Sequence, residues 1–430
     1  MMMFTVLRQR NFALLWFGGM ISQIGDWLLQ VGLPVYVYQL TGSALATSIL
    51  FLVSFGPNIL LGSLAGVFVD RWDRRRTMLI GNLLMALGLL PLLLMHDKSS
   101  FWILYPVLFF EAIVSQFILP AENALVPLLV SEERLVTANA LNAVGTSVSR
   151  LAGGALGGIL FGLFGLYTTI GIDLVSFLFV VAMLMLMKMP SQAQAEIAAE
   201  RLAAEKVSAR LPDWRTLGAE WLDGIRVIWR RPPLRVLFVM LAAQCLGEGV
   251  FGIMLVIFVK LVLNGGATAY GVLLGIQAVG SLLGGLVMGQ FGTRAAPARL
   301  LGVCTCIFGF IDLLIIDLPL FVKGGVVLVG VLFVLVGIPA AGMQASRQTL
   351  NQILVEDRLR GRVFGATQAM MALMQLIGMI LAGLLGDRLG PVLLLNIQGS
   401  VYFLSGVLAL LTLGGMMLKR QEVSGETVGV

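Results

Sequence analysis

The stretch GVFVDRWDRRR, Gly66 to Arg76, sets six charged residues (Asp70, Arg71, Asp73, Arg74, Arg75 and Arg76) between two long apolar runs. On a soluble protein it would be one wet loop among many, so its reading depends on what surrounds it. The 430-residue chain is 58% hydrophobic and only 12% charged, against roughly 25% charged in ordinary soluble domains. Its mean hydropathy is +0.96. Apolar runs of about 20 residues or more recur along nearly the whole length, each able to cross a hydrocarbon core about 30 Å thick at roughly 1.5 Å per residue. Strand-like alternation is missing, which leaves helices to satisfy the backbone in lipid. The expected fold is an all-α integral membrane bundle, and the charged stretch is a loop between two of its helices.

Breaks at charges, prolines and glycine-rich turns predict twelve spans, at about 12–38, 44–69, 75–95, 101–128, 137–163, 167–188, 234–262, 269–291, 298–316, 324–346, 362–385 and 391–418. Lys and Arg concentrate at the N-terminus, in every second loop and at Lys419 and Arg420, while the alternate loops carry only Lys98, Lys260, Lys323 and Arg388. By the positive-inside rule both termini are cytoplasmic, in agreement with an even number of spans, and the bacterial cytoplasmic membrane is the expected location. The net charge of +6 is thus an orientation signal, and no nucleic-acid partner is expected. The first apolar run is too long for a cleaved signal and lacks a small-residue cleavage site, so it is expected as a retained span. Cys245, Cys304 and Cys306 lie inside apolar runs without ligand spacing, and the single histidine, His96, stands beside Asp97 and Lys98. No metal or cofactor is expected from these residues.

One long polar interruption, Pro190 to Pro233, divides the chain near its middle and carries Trp214, Trp221 and Trp229 among mixed charges. It reads as a cytoplasmic linker with an amphipathic helix lying on the membrane surface. The expected organisation is a six-helix bundle over 1–188, a linker over 189–233, a second six-helix bundle over 234–418 and a cytoplasmic tail over 419–430. The two bundles look alike. QIGD (Gln23 to Asp26) followed by LTGSALATSIL (Leu40 to Leu50) is echoed by QCLGE (Gln244 to Glu248) and LNGGATAYGVL (Leu263 to Leu273), about 223 residues on. LVSEERL at Leu129 returns as LVEDRL at Leu354, and FGLFGL at Phe161 is matched by GDRLGP at Gly386. A duplicated six-helix unit, with a site between parallel repeats near the bilayer midplane, describes one class of secondary transporter.

The opening stretch can now be placed. GVFVDRWDRRR resembles the signature loop of the major facilitator superfamily, Gly-x3-Asp-(Arg/Lys)-x-Gly-x-(Arg/Lys)-(Arg/Lys), with matches at Gly66, Asp70, Arg71 and Arg75. Asp73 stands where the family usually has glycine, and is expected to cap the following helix instead. The resemblance, which covers essentially the whole chain, implies the major facilitator fold and a cytoplasmic gate built from Gly66, Asp70, Arg71, Arg74 and Arg75. GTSVSRLAGGALGG, Gly145 to Gly158, is similar to the glycine-rich motif of the antiporter branches, with Gly153, Gly157 and Gly158 in register as helix-packing positions and Gly154 in place of proline. Small residues at this spacing let helices pack backbone to backbone. GDWLLQVGLPVYVYQLTGSALATS together with DRWDRRR resembles most the drug:proton antiporter branch that includes macrolide-efflux proteins.

Charges at membrane depth are costly and point to function. Asp26 lies about fourteen residues into the first span, with Ser22, Gln23 and Gln30 within one turn. Glu248, with Gln244 one turn earlier, is its repeat counterpart. Glu111 and Arg150 fall near mid-depth on the fourth and fifth spans and are expected to form a buried ion pair. Asn139, Asn142 and Thr146 would extend a polar lining. Asp173 and Asp312 read as helix-crossing residues, and Glu122 as a partner for loop arginines. No phosphate loop, nucleotide fingerprint or nucleophile–base pair is present, so neither ATP-driven pumping nor an enzyme is expected. The expected function is export of amphipathic small molecules coupled to proton influx, with Asp26, Glu111, Arg150 and Glu248 as coupling or substrate groups. Gln23, Gln30, Asn142, Thr146 and Gln244 would line the cavity. A lipid or siderophore cargo, or a scaffold that does not transport, are the alternatives; the partners are substrate, protons and lipid, and the chain is expected to act as a monomer.

Overall fold

The computed structural model describes residues 6–69, 72–95, 98–188, 214–291, 296–322, 326–355 and 357–424. Among them every regular element is a helix. In chain order these are α1 (Arg10–Thr41), α2 (Ala44–Val69), α3 (Arg74–Leu89), α4 (Leu104–Leu129), α5 (Glu132–Leu186), α6 (Trp214–Arg230), α7 (Pro232–Leu261), α8 (Ala267–Phe291), α9 (Pro297–Phe321), α10 (Val326–Leu354) and α11 (Asp357–Ser424). Short 3-10 turns cover Leu90–Leu94 and Lys98–Ile103.

By length and hydropathy nine helices among the described residues can cross a bilayer, against twelve expected. The difference has a physical cause. The apolar parts of α5 and α11, 54 and 53 residues long, are each of double length. They turn at Gly165 (φ 76°, ψ −171°) and Gly390 (φ 76°, ψ 163°), a backbone region open in practice only to glycine. These are the glycines of the matched segments FGLFGL and GDRLGP, so the repeat seen in sequence carries its hinge with it. Helix α2, 26 residues long, was read as the second span.

The chain divides into two compact units, Met1–Arg210 with Gly266–Gly275, and Leu211–Gly265 with Ile276–Val430. At the centre of the first, Phe12 and Leu15 of α1 meet Met78 of α3, Leu125 of α4, and Leu141 and Leu184 of α5. In the second, Leu237 and Leu241 of α7 meet Leu301 of α9, Leu350 of α10 and Leu413 of α11. Large apolar side chains such as Leu163, Leu286, Phe321 and Leu411 point outward, the surface of a protein solvated by lipid.

Helix α6 falls in the stretch read as a linker, yet it packs as part of the second unit. Ile228 is buried in that unit's core, and Gly224 lets the helix approach the backbone of Arg362 and the Ala366 methyl on α11. Asp223 bridges Arg226 at 3.3 Å and Arg362 at 3.8 Å. Trp221 and Trp229 stay exposed on the other face. Residues 189–213 of the expected linker lie outside the described residues.

Candidate functional site

Helix α1 brings Asp26 into the first unit because its small residues allow close neighbours on two sides. On one face Gly18, Gly25 and Gly32, spaced by sevens, oppose Met183, the pair Asp173 and Ser176, and Phe161 of α5. On the other, Gly153 and Gly157 of α5 close on α1, where an added Cβ would lie 2.5 Å from Trp27 Cβ and 2.9 Å from Leu28 Cα. Gly158 approaches Ala267 and Gly271 at the start of α8, a segment that belongs to this unit. Two hydrogen bonds fix the α1–α5 register: Trp16 Nε1 donates to the Leu141 carbonyl at 3.1 Å and Ser149 Oγ to the Met20 carbonyl at 2.9 Å.

Around this crossing the structure gathers three carboxyl groups. Asp173 is 2% exposed; the Ser176 hydroxyl donates to its backbone carbonyl at 2.7 Å and reaches its Oδ1 at 3.2 Å. Glu111 of α4 lies over Gly88 of α3, is 8% exposed, and neither of its carboxylate oxygens has a hydrogen-bond partner. Asp26, half-buried, completes the set. Each of the three lies within electrostatic reach of the other two. Between α1 and the second arm of α5, an apolar groove of about 650 Å³ is floored by Gly25 and Ser176 and walled by Ile24, Ile172, Val175 and Phe179.

The expected Glu111–Arg150 ion pair is not formed. Arg150 is exposed while Ser149 beside it is buried against α1, so the arginine sits about 100° around the helix from the packed face. Counting depth from the helix ends placed both groups at one level without fixing their azimuth. Gln23 and Asn142 are half-buried, Gln30 and Thr146 exposed, and Gln244 buried. Glu122 is half-buried and faces Gly19 of α1.

Of the expected gate residues, Asp70 and Arg71 lie outside the described residues, and Gly66 is in the last turn of α2. Asp73 caps α3 through a 2.8 Å bond from the Arg76 N–H to Oδ1, which explains how the chain turns here without the usual glycine. Arg74 is buried. Arg75 donates to the Leu184 carbonyl at 2.9 Å and the Met185 carbonyl at 3.2 Å. Arg10 adds a 3.4 Å bond to the Leu186 carbonyl, and Asn11 exchanges bonds of 2.6 and 3.2 Å with the Lys188 backbone. Arg75 of the loop motif, with Arg10 and Asn11 of α1, thereby saturates orphan carbonyls at and just beyond the end of α5.

The second unit repeats the crossing with other chemistry. Gly247 of α7 opposes Gln398 and Tyr402 of α11. Gln398 Nε2 donates to Asp312 Oδ2 at 2.9 Å, and the Tyr402 hydroxyl reaches the Gln244 carbonyl at 3.5 Å. Asn396 donates to Asp317 at 2.7 Å. Glu248, exposed on α7, lies within the field of Arg347 of α10, which in turn bonds Gln344. The sequence reading missed Gln398, Tyr402 and Arg347 as site residues. The first could have been found, since Gln398 follows Gly390 at the distance at which Asp173 follows Gly165.

Two hinged all-helical units with carboxyl groups held at membrane depth define a multi-pass membrane transporter of the major facilitator type. Residues 1–423 match the family described as transmembrane secretion effector, and the chain belongs to that family. It is similar to macrolide efflux protein A of Streptococcus pyogenes, 27% identical over 385 residues that cover 88% of this chain and 90% of the relative. It is also similar to the enterobactin exporter EntS of Salmonella typhi, 24% identical with 93% and 92% covered. Among solved structures, a bacterial homologue of the iron transporter ferroportin in an inward-facing state shares the fold at a TM-score of 0.71 and 16% identity, with 93% and 98% covered. A POT family transporter in complex with 5-aminolevulinic acid does so at 0.68 and 14%, with 95% and 96% covered.

Proposed function

We propose that this protein is a secondary active exporter of amphipathic, cationic or zwitterionic small molecules, driven by proton influx through alternating access, with both termini cytoplasmic. The observation that carries the reading is the group Asp26, Glu111 and Asp173, three carboxyls in a membrane helix bundle that no described cation contacts. Such a group can hold protons in one state and a cationic substrate in another, because either neutralises charge that lipid cannot solvate. Asp26 and Glu111 carry the proton, Glu248 with Arg347 contacts substrate, and Arg150 contributes from the exposed face of α5. Likeness to a macrolide efflux protein over nearly the whole chain supports an export role.

The test is ethidium efflux from energised cells expressing wild type or Asp26→Asn, with and without a protonophore. Efflux abolished by both treatments supports the reading; efflux from wild type that persists with the protonophore contradicts proton coupling. A siderophore cargo is the second reading, favoured by the likeness to enterobactin exporters. The carboxyl-rich first unit argues against an anionic cargo, and siderophore release from a strain carrying this chain as its single exporter separates the two.

A further inference from the structure

The two units build one crossing with different side chains. Gly25 of α1 meets Asp173 and Ser176 in the first; Gly247 of α7 meets Gln398 and Tyr402 in the second. Asp173 and Gln398 follow their hinge glycines, Gly165 and Gly390, at the same spacing, and are repeat counterparts. The amide of Gln398 is a permanent donor, and it donates to Asp312. A carboxyl group in the same place becomes a donor only after it binds a proton.

Among the described residues, what packs around Asp173 supplies no cation and, beyond the Ser176 hydroxyl, no donor. Helix α1 presents Asp26, and α4 presents Glu111, whose two oxygens are buried without a donor. Helix α3 packs against α5 too, but its ionisable residues, Arg74, Arg75 and Arg76, stand in its first turn, roughly 18 to 21 Å along the axis from Gly88. The turn Leu90–Leu94 has no ionisable side chain. On α4, Glu122 is roughly 16 Å along the helix from Glu111. On α5 itself Ser176 donates to Asp173, and the Tyr167 hydroxyl is engaged by the Met95 carbonyl.

We infer that Asp173 is a third proton-binding residue of the transport cycle: its bound proton supplies to the neighbouring carboxylates the donor that Gln398 supplies permanently in the second unit. A proton bound at Asp173 turns an acceptor oxygen into an O–H donor toward Asp26 or Glu111, and its release restores the acceptor. The inference rests on the proton-coupled reading for its role in transport, while the proton site itself can be read without any substrate.

Infrared difference spectra of the purified full-length protein, taken across a pH titration, test it. The expected result is a pH-dependent carboxylic-acid C=O band that loses amplitude in Asp173→Asn and persists at a shifted position in Asp173→Glu. The second variant keeps the question open to measurement if the first fails to fold, as judged by circular dichroism. A band unchanged by both variants overturns the inference. So does one that sodium removes at fixed pH, since the site would then belong to a cation. Proton-driven ethidium transport by wild type with a band insensitive to Asp173 substitution removes this inference alone. A sensitive band with no such transport leaves the proton site standing and removes the export reading.

Discussion

In the second unit Asp223, Glu248, Asp312 and Asp317 each face a cation or an amide: Arg226 and Arg362, Arg347, Gln398 and Asn396. In the first, Asp26, Glu111 and Asp173 lie within electrostatic reach of one another. Both units share a hinge glycine and a glycine crossing, so fold does not explain the contrast. The amide of Gln398, a permanent donor to Asp312, makes the second crossing a structural joint. Among the described residues the first crossing offers its carboxyls no amide and no cation, only the Ser176 hydroxyl at Asp173, which leaves its charge to be set by what binds, and a site that must change state during transport needs that property.

Several substitutions would test this contrast, and the largest effect on transport is expected at Glu111. Glu111→Gln removes a buried carboxyl that has no partner, so pH-driven ethidium transport should fall by about tenfold or more, the scale of roughly 1.4 kcal/mol. The midpoint of thermal unfolding should hold or rise. A lowered midpoint with transport intact would make Glu111 a packing residue. Next comes the crossing itself. Gly25→Ala, whose added carbon would press on Asp173 Oδ1 and Ser176 Oγ, should cost about 3 kcal/mol, read as a lowered midpoint in detergent. Gly247→Ala, whose added carbon would lie 3.0 Å from Gln398 Cγ, should cost about 1 kcal/mol. Equal costs would mean that the two crossings are equally tight.

Gln398→Glu gives the second unit the chemistry of the first. It removes the donor to Asp312 and should cost about 2 kcal/mol, and unfolding of the variant should become more dependent on pH than that of wild type. The smallest effect is expected outside the contrast, at the loop. Asp73→Ala should cost about 1 kcal/mol through the lost cap of α3, and Asp73→Gly only about 0.3 kcal/mol. Chemical unfolding of the two variants side by side checks that order.

The bundle was legible because lipid imposes length and hydropathy on each helix, and the duplication was legible because hinge segments such as FGLFGL and GDRLGP kept their spacing. Asp73 as a cap was readable from local chemistry alone. Asp26 stood out as a charge inside an apolar run. Its joining to Asp173 was not readable, because it depends on the second arm of α5 folding back at Gly165 onto the Gly25 face of α1. The Glu111–Arg150 pairing failed for a related reason: depth along a helix follows from counting residues, whereas azimuth is set by which face packs. Ser149 faces α1, which turns Arg150 outward.

Proton coupling is expected to reside in the first unit and not in the second. Ethidium transport driven by a pH gradient, in liposomes holding the purified protein, tests it when Asp26→Asn and Asp312→Asn are compared with wild type. The expected result is transport by wild type and by Asp312→Asn, with loss in Asp26→Asn. Transport that survives Asp26→Asn and is lost in Asp312→Asn would contradict the claim.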